Sequence, residues 1–108
     1  MMKQKLERLG YQITSRISSV EALEAFRAVP DRFDIVITDM AMPDLPGDKL
    51  SIELIQIRPN IPILICTGFS DTMTEEKAKS LGIKGFLLKP VVINELSHKI
   101  REVLDKNI

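Results

Sequence analysis

The sequence predicts an α/β fold in which helices cover both faces of a parallel β-sheet. Strand-like and helix-like segments alternate along the chain with short connections, which is the pattern of a parallel sheet. The apolar runs at 34–39 and 63–67 are continuous rather than alternating, as is typical of strands covered on both faces. The 108 residues are enough for one compact domain and too few for two, so residues 1–108 are predicted to form a single domain.

Periodicity and capping residues define the individual elements. Ser18 with Glu21, and Thr72 with Glu75, form capping-box patterns that predict two helix starts. Gly and Pro residues mark most of the predicted ends. In chain order we expect a helix over 2–9, a strand over 11–17, a helix from 18 to about 28, a strand over 34–39, a helix from 48 to about 57, a strand over 63–67, a helix that ends near 81–82, a strand over 85–89 and a helix from 92 to about 106.

Composition excludes several classes of partner. The chain has 15 basic and 15 acidic residues, so there is no electrostatic reason to expect nucleic acid or an anionic membrane surface as partner. No apolar run approaches the ~20 residues needed to insert into a membrane. The single cysteine, Cys66, excludes an internal disulfide and predicts a reducing, cytoplasmic location. Cys66 lies inside an apolar strand, so we expect a buried, inert thiol.

Three polar residues stand at or next to the ends of predicted strands. Asp39 ends the run at 33–39, Thr67 ends the run at 63–67, and Lys89 follows the last apolar strand. Because functional groups in parallel α/β sheets collect at the carboxyl ends of the strands, we expect these three side chains at one edge. Pro90 cannot continue the strand, and a cis Lys89–Pro90 bond would turn the chain sharply there.

A carboxylate, a hydroxyl and an ammonium are the groups that a phosphorylatable aspartate needs. A carboxylate can attack a phosphoryl group and become an acyl phosphate. A lysine then supplies positive charge to the phosphoryl oxygens, and a threonine hydroxyl supplies a hydrogen-bond donor. Taken singly, each residue also fits a turn, a cap or a solvated strand end. Their joint occurrence at consecutive strand ends predicts a phosphoacceptor site.

With these residues in place, the chain resembles the receiver (CheY-like) domain of two-component response regulators. The resemblance covers nearly the whole chain and implies a flavodoxin-like, doubly wound sheet with strand order 2-1-3-4-5. It also implies a place in two-component phosphorelay signalling. The motifs that carry it are Asp39-Met40-Ala41-Met42-Pro43 with Gly47, Thr67-Gly68, Ala78 through Leu81-Gly82, Gly85-Phe86 and Lys89-Pro90.

The resemblance assigns roles to matching residues. It implies that Asp39 accepts a phosphoryl group from the phosphohistidine of a histidine kinase or phosphotransfer protein. Thr67 would bond that phosphoryl group, and Lys89 would be its ion-pair partner. Phe86 matches the family's switch aromatic, whose rotamer follows Thr67, although core packing explains a phenylalanine there as well. Structural roles fall to Pro43, Gly47 and Pro90.

The chain departs from the family pattern at the metal site. Receivers begin with a strand that ends in two adjacent acidic residues, which hold a divalent cation, and this sequence begins inside what would be the first helix. The resemblance implies Mg²⁺ bound by Asp39 and the backbone carbonyl of Ala41. Mg²⁺ is usually held by one or two carboxylates together with phosphate oxygens and water. Without the acidic pair, we therefore expect weak metal binding and slow self-phosphorylation.

Three explanations of this gap stay open. The chain is an N-terminally truncated receiver, or it is a receiver-like interaction module that works without phosphorylation. Alternatively, the gap in the sheet is closed directly or across chains, which predicts a homodimer through exposed sheet edges, because bare edges and unpaired backbone groups are costly. The chain end also fits two contexts, a stand-alone receiver or the C-terminal receiver of a hybrid sensor kinase.

A hydrolytic enzyme is a weaker interpretation. Phosphohydrolases of the haloacid dehalogenase type place a second aspartate two residues after the nucleophile, and here that position is Ala41. We therefore expect no enzymatic activity beyond the domain's own phosphorylation and dephosphorylation. His98, on the last predicted helix, is expected to be an ordinary surface histidine.

Overall fold

The computed structural model describes residues 18–41, 44–68 and 74–106. The predicted helix over 2–9 and strand over 11–17 lie outside these residues. Among the described helices, none has both the length and the apolar composition needed to cross a bilayer. The elements are α1 (Ser19–Ala28), a short 3₁₀ helix (Pro30–Arg32), β1 (Val36–Asp39), α2 (Gly47–Ile57), β2 (Ile63–Thr67), α3 (Glu75–Ser80), β3 (Gly85–Leu88) and α4 (Ile93–Lys106).

The described strands form one parallel sheet in the order β1-β2-β3, which confirms the predicted α/β class. This order matches the last three strands of the expected 2-1-3-4-5 arrangement. Asp39 is opposite Cys66, and Thr67 is opposite Leu88. All three strands therefore end within about one residue of each other, at the same edge of the sheet.

Apolar side chains cover the sheet on both faces, as the continuous apolar runs predict. The larger cluster joins one sheet face to α1, α2 and α3, and the smaller cluster joins the other face to α4. Ile63 and Ile65 belong to the first face and Leu64 to the second, because side chains alternate along a strand. The buried members are Phe26, Leu50, Leu54, Ile61, Ile63, Ile65, Ala78 and Ile83 in the larger cluster, and Leu64, Leu96 and Ile100 in the smaller one.

One of the two predicted helix starts is confirmed and the other is wrong. Ser18 is the N-cap of α1, and its Oγ accepts a hydrogen bond from the backbone N–H of Glu21 at 3.4 Å. At α3 the cap is Thr74, whose Oγ1 accepts from the N–H of Lys77 at 3.1 Å. Glu75 is therefore the first helical residue rather than the third, and Thr72 lies outside the described residues. Thr74 competes successfully because it offers the same hydroxyl two residues later.

Arg58 fixes the chain where it enters β1. Its guanidinium donates to the carbonyl of Pro30 at 3.0 Å and to the carbonyl of Phe33 at 2.5 Å. The ring of Phe33 also stacks on that of Phe26, with centroids 6.0 Å apart. Arg58 at the end of α2 and Phe26 in α1 thus fix the segment that precedes β1. This in turn fixes the position of Asp39 at the other end of the strand.

Candidate functional site

An ion pair joins two of the predicted site residues at the carboxyl edge of the sheet. The Nζ atom of Lys89 lies 2.6 Å from Oδ1 of Asp39, although β2 separates their two strands. The N–H of Met40 donates to the carbonyl of Cys66 at 2.8 Å, and the N–H of Lys89 donates to the carbonyl of Thr67 at 2.8 Å. Both strand ends are therefore tied to β2, and the long lysine side chain closes the remaining gap.

The two oxygens of the Asp39 carboxyl group have different surroundings. Oδ1 is buried and has no described hydrogen-bond partner apart from the Lys89 ammonium. The side chain as a whole is 45% exposed, so the solvent-accessible side of the carboxyl group is the Oδ2 side. One oxygen is therefore held by a cation while the other is open to an incoming group.

A cavity of about 760 Å³ lies beside this pair. Asp39 and Lys89 supply its charged groups, and aliphatic side chains such as Ile37 and Val91 supply much of its wall. A phosphoryl group together with its hydration water fits within this volume. The lining residues are Ile37, Thr38, Asp39, Cys66, Gly68, Lys89, Pro90 and Val91.

Thr67 lies at the same edge but belongs to the other face of the sheet. Thr67 is two residues after Ile65 in β2, so both side chains lie on the same face of the sheet. That face contacts the larger core cluster, and Phe86 lies on it as well. Its side chain is fully buried and does not line the cavity, and its Oγ1 donates to the carbonyl of Gly68 at 3.4 Å. The structure thus brings Asp39 and Lys89 into contact, and the face of β2 that carries Thr67 is the one that packs with the half-buried Phe86.

Gly47 packs the start of α2 directly onto the end of β1. Its N–H donates to the carbonyl of Met40 at 3.0 Å. A Cβ atom at this position would overlap the carbonyl oxygen of Asp39 and crowd Met40. Any larger residue would therefore push the loop away from Asp39, which gives a physical reason for the predicted structural role of Gly47.

Comparison with known proteins identifies the family. The family profile described as the response regulator receiver domain matches residues 1–101. The chain belongs to the response regulator receiver domain family. It is 34% identical to the two-component response regulator ARR12 of Arabidopsis thaliana over 99% of this chain. It is 31% identical to the sensor kinase CckA of Brucella abortus over 94% of this chain.

Solved receiver structures share the fold. A response regulator receiver domain protein from Clostridium thermocellum superposes with a TM-score of 0.91 at 33% identity, over 97% of this chain and 83% of that one. The match covers a much smaller share of the curated relatives, since the chain spans 18% of ARR12 and 11% of CckA. The comparisons therefore show the family of this domain and not the function of a whole protein.

Receivers generally bind Mg²⁺, and the described residues do not supply a complete site for it. Within the described ranges, no group of three or more His, Cys, Asp or Glu side chains is placed to hold a metal ion. Asp39 offers one carboxylate, and Lys89 already pairs with it. Ala41, whose carbonyl was the second predicted ligand, is exposed just beyond β1. With one paired carboxylate and one carbonyl from the described residues, Mg²⁺ would depend on water and phosphate oxygens for most of its ligands.

The two predicted structural prolines have different outcomes. The Lys89–Pro90 peptide bond is cis, which is the geometry considered from the sequence. Pro43 lies outside the described residues.

His98 is exposed on α4, as expected for a surface histidine.

Asp44 is a residue near the site that the sequence does not reveal. Its carboxylate accepts hydrogen bonds from the Ser18 hydroxyl at 2.5 Å, from the N–H of Val20 at 3.0 Å and from the N–H of Ser19 at 3.2 Å. The Ser18 hydrogen bond, followed by the Val20 N–H, lowers the pKa of Asp44 to about 2. These contacts link the loop after β1 to the start of α1, about 25 residues earlier in the chain, and local sequence patterns carry no signal for such a distant pair.

Cys66 is buried, as predicted. The residue is 5% exposed in β2, next to the charged pair. Burial raises the pKa of its thiol from 9.0 to about 11; the charge of Asp39 adds to this rise, and Lys89 opposes it. The thiol is therefore neutral at physiological pH and lacks the thiolate needed for nucleophilic chemistry.

The thiol makes folding stability depend on pH in the alkaline range. Because the folded pKa is the higher one, the neutral thiol's contribution is complete below pH 9 and is lost as pH rises through about 11. We expect the urea-unfolding free energy of the native chain to fall more steeply over this window than that of a Cys66→Ala variant. Parallel curves for the two proteins would contradict the assignment.

Proposed function

We propose that this receiver is a phosphoacceptor in a two-component phosphorelay and that Asp39 takes the phosphoryl group from a phosphohistidine. A histidine kinase or a phosphotransfer protein would be the donor. The observation that carries the proposal is the 2.6 Å contact between Asp39 Oδ1 and Lys89 Nζ beside an open cavity. That geometry leaves the Oδ2 side of the carboxylate available for attack.

In the proposed phosphoryl transfer, Asp39 is the nucleophile and Lys89 is the cation beside it. Oδ2 of Asp39 attacks the phosphorus atom, the new O–P bond forms as the P–N bond to the donor imidazole breaks, and the imidazole nitrogen leaves with the bonding pair. The product is an acyl phosphate on Asp39. Lys89 lies close enough to pair with the phosphoryl oxygens as their charge enters the site, which is the electrostatic role expected of a lysine in phosphoryl transfer.

Thr67 and Phe86 would carry the signal away from Asp39. Both lie on the face of the sheet that contacts the larger core cluster, and their strands are neighbours. In this proposal the Thr67 hydroxyl turns to donate to the phosphoryl group. The space that it leaves lets the half-buried Phe86 ring change rotamer. The two residues are thus suited to couple the charge at the edge of the sheet to its packed face.

We propose two settings for this domain. The match to the sensor kinase CckA supports a receiver within a hybrid kinase, whereas the match to ARR12 supports a receiver within a response regulator. We place the domain in the cytoplasm, because its single cysteine is a buried, neutral thiol that fits a reducing compartment.

A second candidate function is that of an interaction module that works without phosphorylation. The incomplete set of metal ligands favours it, because Asp39 is paired with Lys89 and the described residues add no second carboxylate at the site. The two candidates differ in whether Asp39 reacts. Both candidate functions are compatible with the same fold.

Incubation with a small phosphodonor and Mg²⁺ tests the proposal. We expect slow incorporation of one phosphoryl group into the native chain, because the carboxylate is in place while the metal ligands are few. Replacing Asp39 with Asn removes the nucleophile, so incorporation should fall to background. Radiolabelled phosphate or intact-protein mass spectrometry measures both.

Asp48→Asn is the matched control. Asp48 lies at the start of α2, and among the described residues its carboxylate accepts a local hydrogen bond, from the N–H of Lys49 at 2.9 Å. Its replacement should leave incorporation unchanged. Equal labelling of the native chain and the Asp39→Asn variant would overturn the phosphoacceptor role. A chain that takes no label from either a small donor or a phosphorylated histidine protein would support the interaction module instead.

The outer edge of β1 supports the predicted homodimer, which we retain as a proposal. Within the part of the chain that the structure describes, β1 pairs only with β2. The N–H of Val36 donates to the carbonyl of Pro62 and that of Met40 to Cys66, so the even-numbered residues of this segment face β2. The peptide groups of Ile35 and Ile37 therefore face outward, and a strand edge of this kind is a template for a second strand.

Light scattering over a range of protein concentrations tests this association. We expect the average molar mass to rise from that of one 12.2 kDa chain toward that of two as concentration increases. The thermal midpoint should rise with it, because association stabilises the folded state by mass action. A folded species that stays monomeric at all concentrations would rule out the dimer.

A further inference from the structure

We propose that Asp44 is a positioning residue for the phosphoacceptor: it clamps the loop between β1 and α2 to the start of α1 and so holds the Asp39 carboxylate against Lys89. The inference rests on the proposed function of Asp39 for its consequence, but its structural part can be tested separately. It concerns a residue that touches neither the reacting carboxylate nor the cavity.

The clamp has two components at the start of α1. The Asp44 carboxylate accepts from the Ser18 hydroxyl and from the backbone N–H groups of Ser19 and Val20. In addition, the fully buried hydroxyl of Ser19 donates to the carbonyl of Leu45 at 2.7 Å. The start of α1 therefore donates hydrogen bonds to two successive loop residues, Asp44 and Leu45, which fixes the loop more firmly than a single contact would.

The other end of the same loop is fixed on Asp39 itself. The N–H of Gly47 donates to the carbonyl of Met40, and Gly47 lies directly against the carbonyl of Asp39. Only Leu45 and Pro46 separate Asp44 from Gly47. A shift of Asp44 is therefore passed on within two residues to the peptide group that sets the direction of the Asp39 side chain.

The negative charge of Asp44 is part of the clamp. The first N–H groups of a helix have no partner within the helix, and the helix dipole favours a negative charge beside them. Asp44 spreads its bonds over both oxygens, because Oδ1 accepts from Ser19 and Leu45 while Oδ2 accepts from Ser18 and Val20. An asparagine has one acceptor oxygen and would turn an NH₂ group toward some of these donors.

A simpler role would be that Asp44 only stabilises α1. The two roles predict different locations for the effect of Asp44→Asn. A helix cap would alter α1 alone, whereas a clamp would also loosen Met40 and Gly47 on the far side of the loop. Asp48→Asn is the matched control, because Asp48 lies on the same stretch of chain but its hydrogen bond stays within α2.

Amide hydrogen exchange by NMR, measured on the whole chain, decides between these roles. We expect Asp44→Asn to speed exchange of the Met40 and Gly47 amides about tenfold, the scale expected when charge-assisted hydrogen bonds are lost. Ser18→Ala, which keeps the carboxylate and removes one donor, should give a smaller effect in the same direction. Asp48→Asn should leave both amides unchanged. Faster exchange confined to α1, or equal behaviour of Asp44→Asn and Asp48→Asn, would overturn the proposal.

Two further readouts connect the clamp to Asp39. The ¹³C shift of the Asp39 carboxyl group should move in Asp44→Asn and stay fixed in Asp48→Asn, since only the first alters its placement against Lys89. The rate of phosphoryl incorporation should fall about tenfold in Asp44→Asn, in step with the amide exchange. Failure of the native chain to incorporate phosphate would count against the proposed function, whereas an unmoved carboxyl shift would count against the clamp.

If Asp44→Asn does not fold, Ser18→Ala decides the question by the same amide and carboxyl readouts. Its fold can be checked from the thermal unfolding transition before exchange is measured. Unchanged Met40, Gly47 and Asp39 signals in a folded Ser18→Ala protein would contradict the clamp.

Discussion

The parallel register of β1, β2 and β3 is the constraint on which the site depends. Asp39 and Lys89 are 50 positions apart in sequence, yet both stand at the ends of strands that are bonded to β2 in fixed register. A slip of one residue would turn a strand's side chains to the opposite face, so the apolar faces of the sheet enforce that register. Burial of the core thus determines where the ion pair forms.

The same alternation divides the site into two halves. Asp39 lies on the face that carries the cavity, and Thr67 lies on the face that carries Phe86 and the larger core cluster. In the proposed function, Thr67 is the residue that passes a change of charge at the edge on to the packed interior. The loop after Asp39 connects the end of β1 to the start of α1, since Gly47 fixes it to β1 and Asp44 fixes it to α1.

Features encoded by neighbouring residues could be predicted from the sequence, and features made by distant ones could not. The Ser18 cap, the burial of Cys66 and the strand-end positions of Asp39 and Lys89 all follow from local pattern. At α3 the local pattern misled, because Thr72 and Thr74 offer the same hydroxyl and only the folded helix shows which one is used. The Asp44 clamp and the burial of Asp39 Oδ1 arise from contacts across the fold, for which a single sequence carries no signal. The family resemblance supplied roles for Thr67 and Phe86 that geometry alone would not suggest.

Chemical trapping of the acyl phosphate tests the phosphoacceptor assignment most directly. Borohydride reduces an aspartyl phosphate to homoserine, so the modified residue can be located by peptide mass spectrometry after exposure to a phosphodonor. We predict homoserine at position 39 and at no other aspartate. Homoserine at Asp34, Asp44 or Asp48, with residue 39 unmodified, would show that the carboxylate held by Lys89 is not the one that reacts.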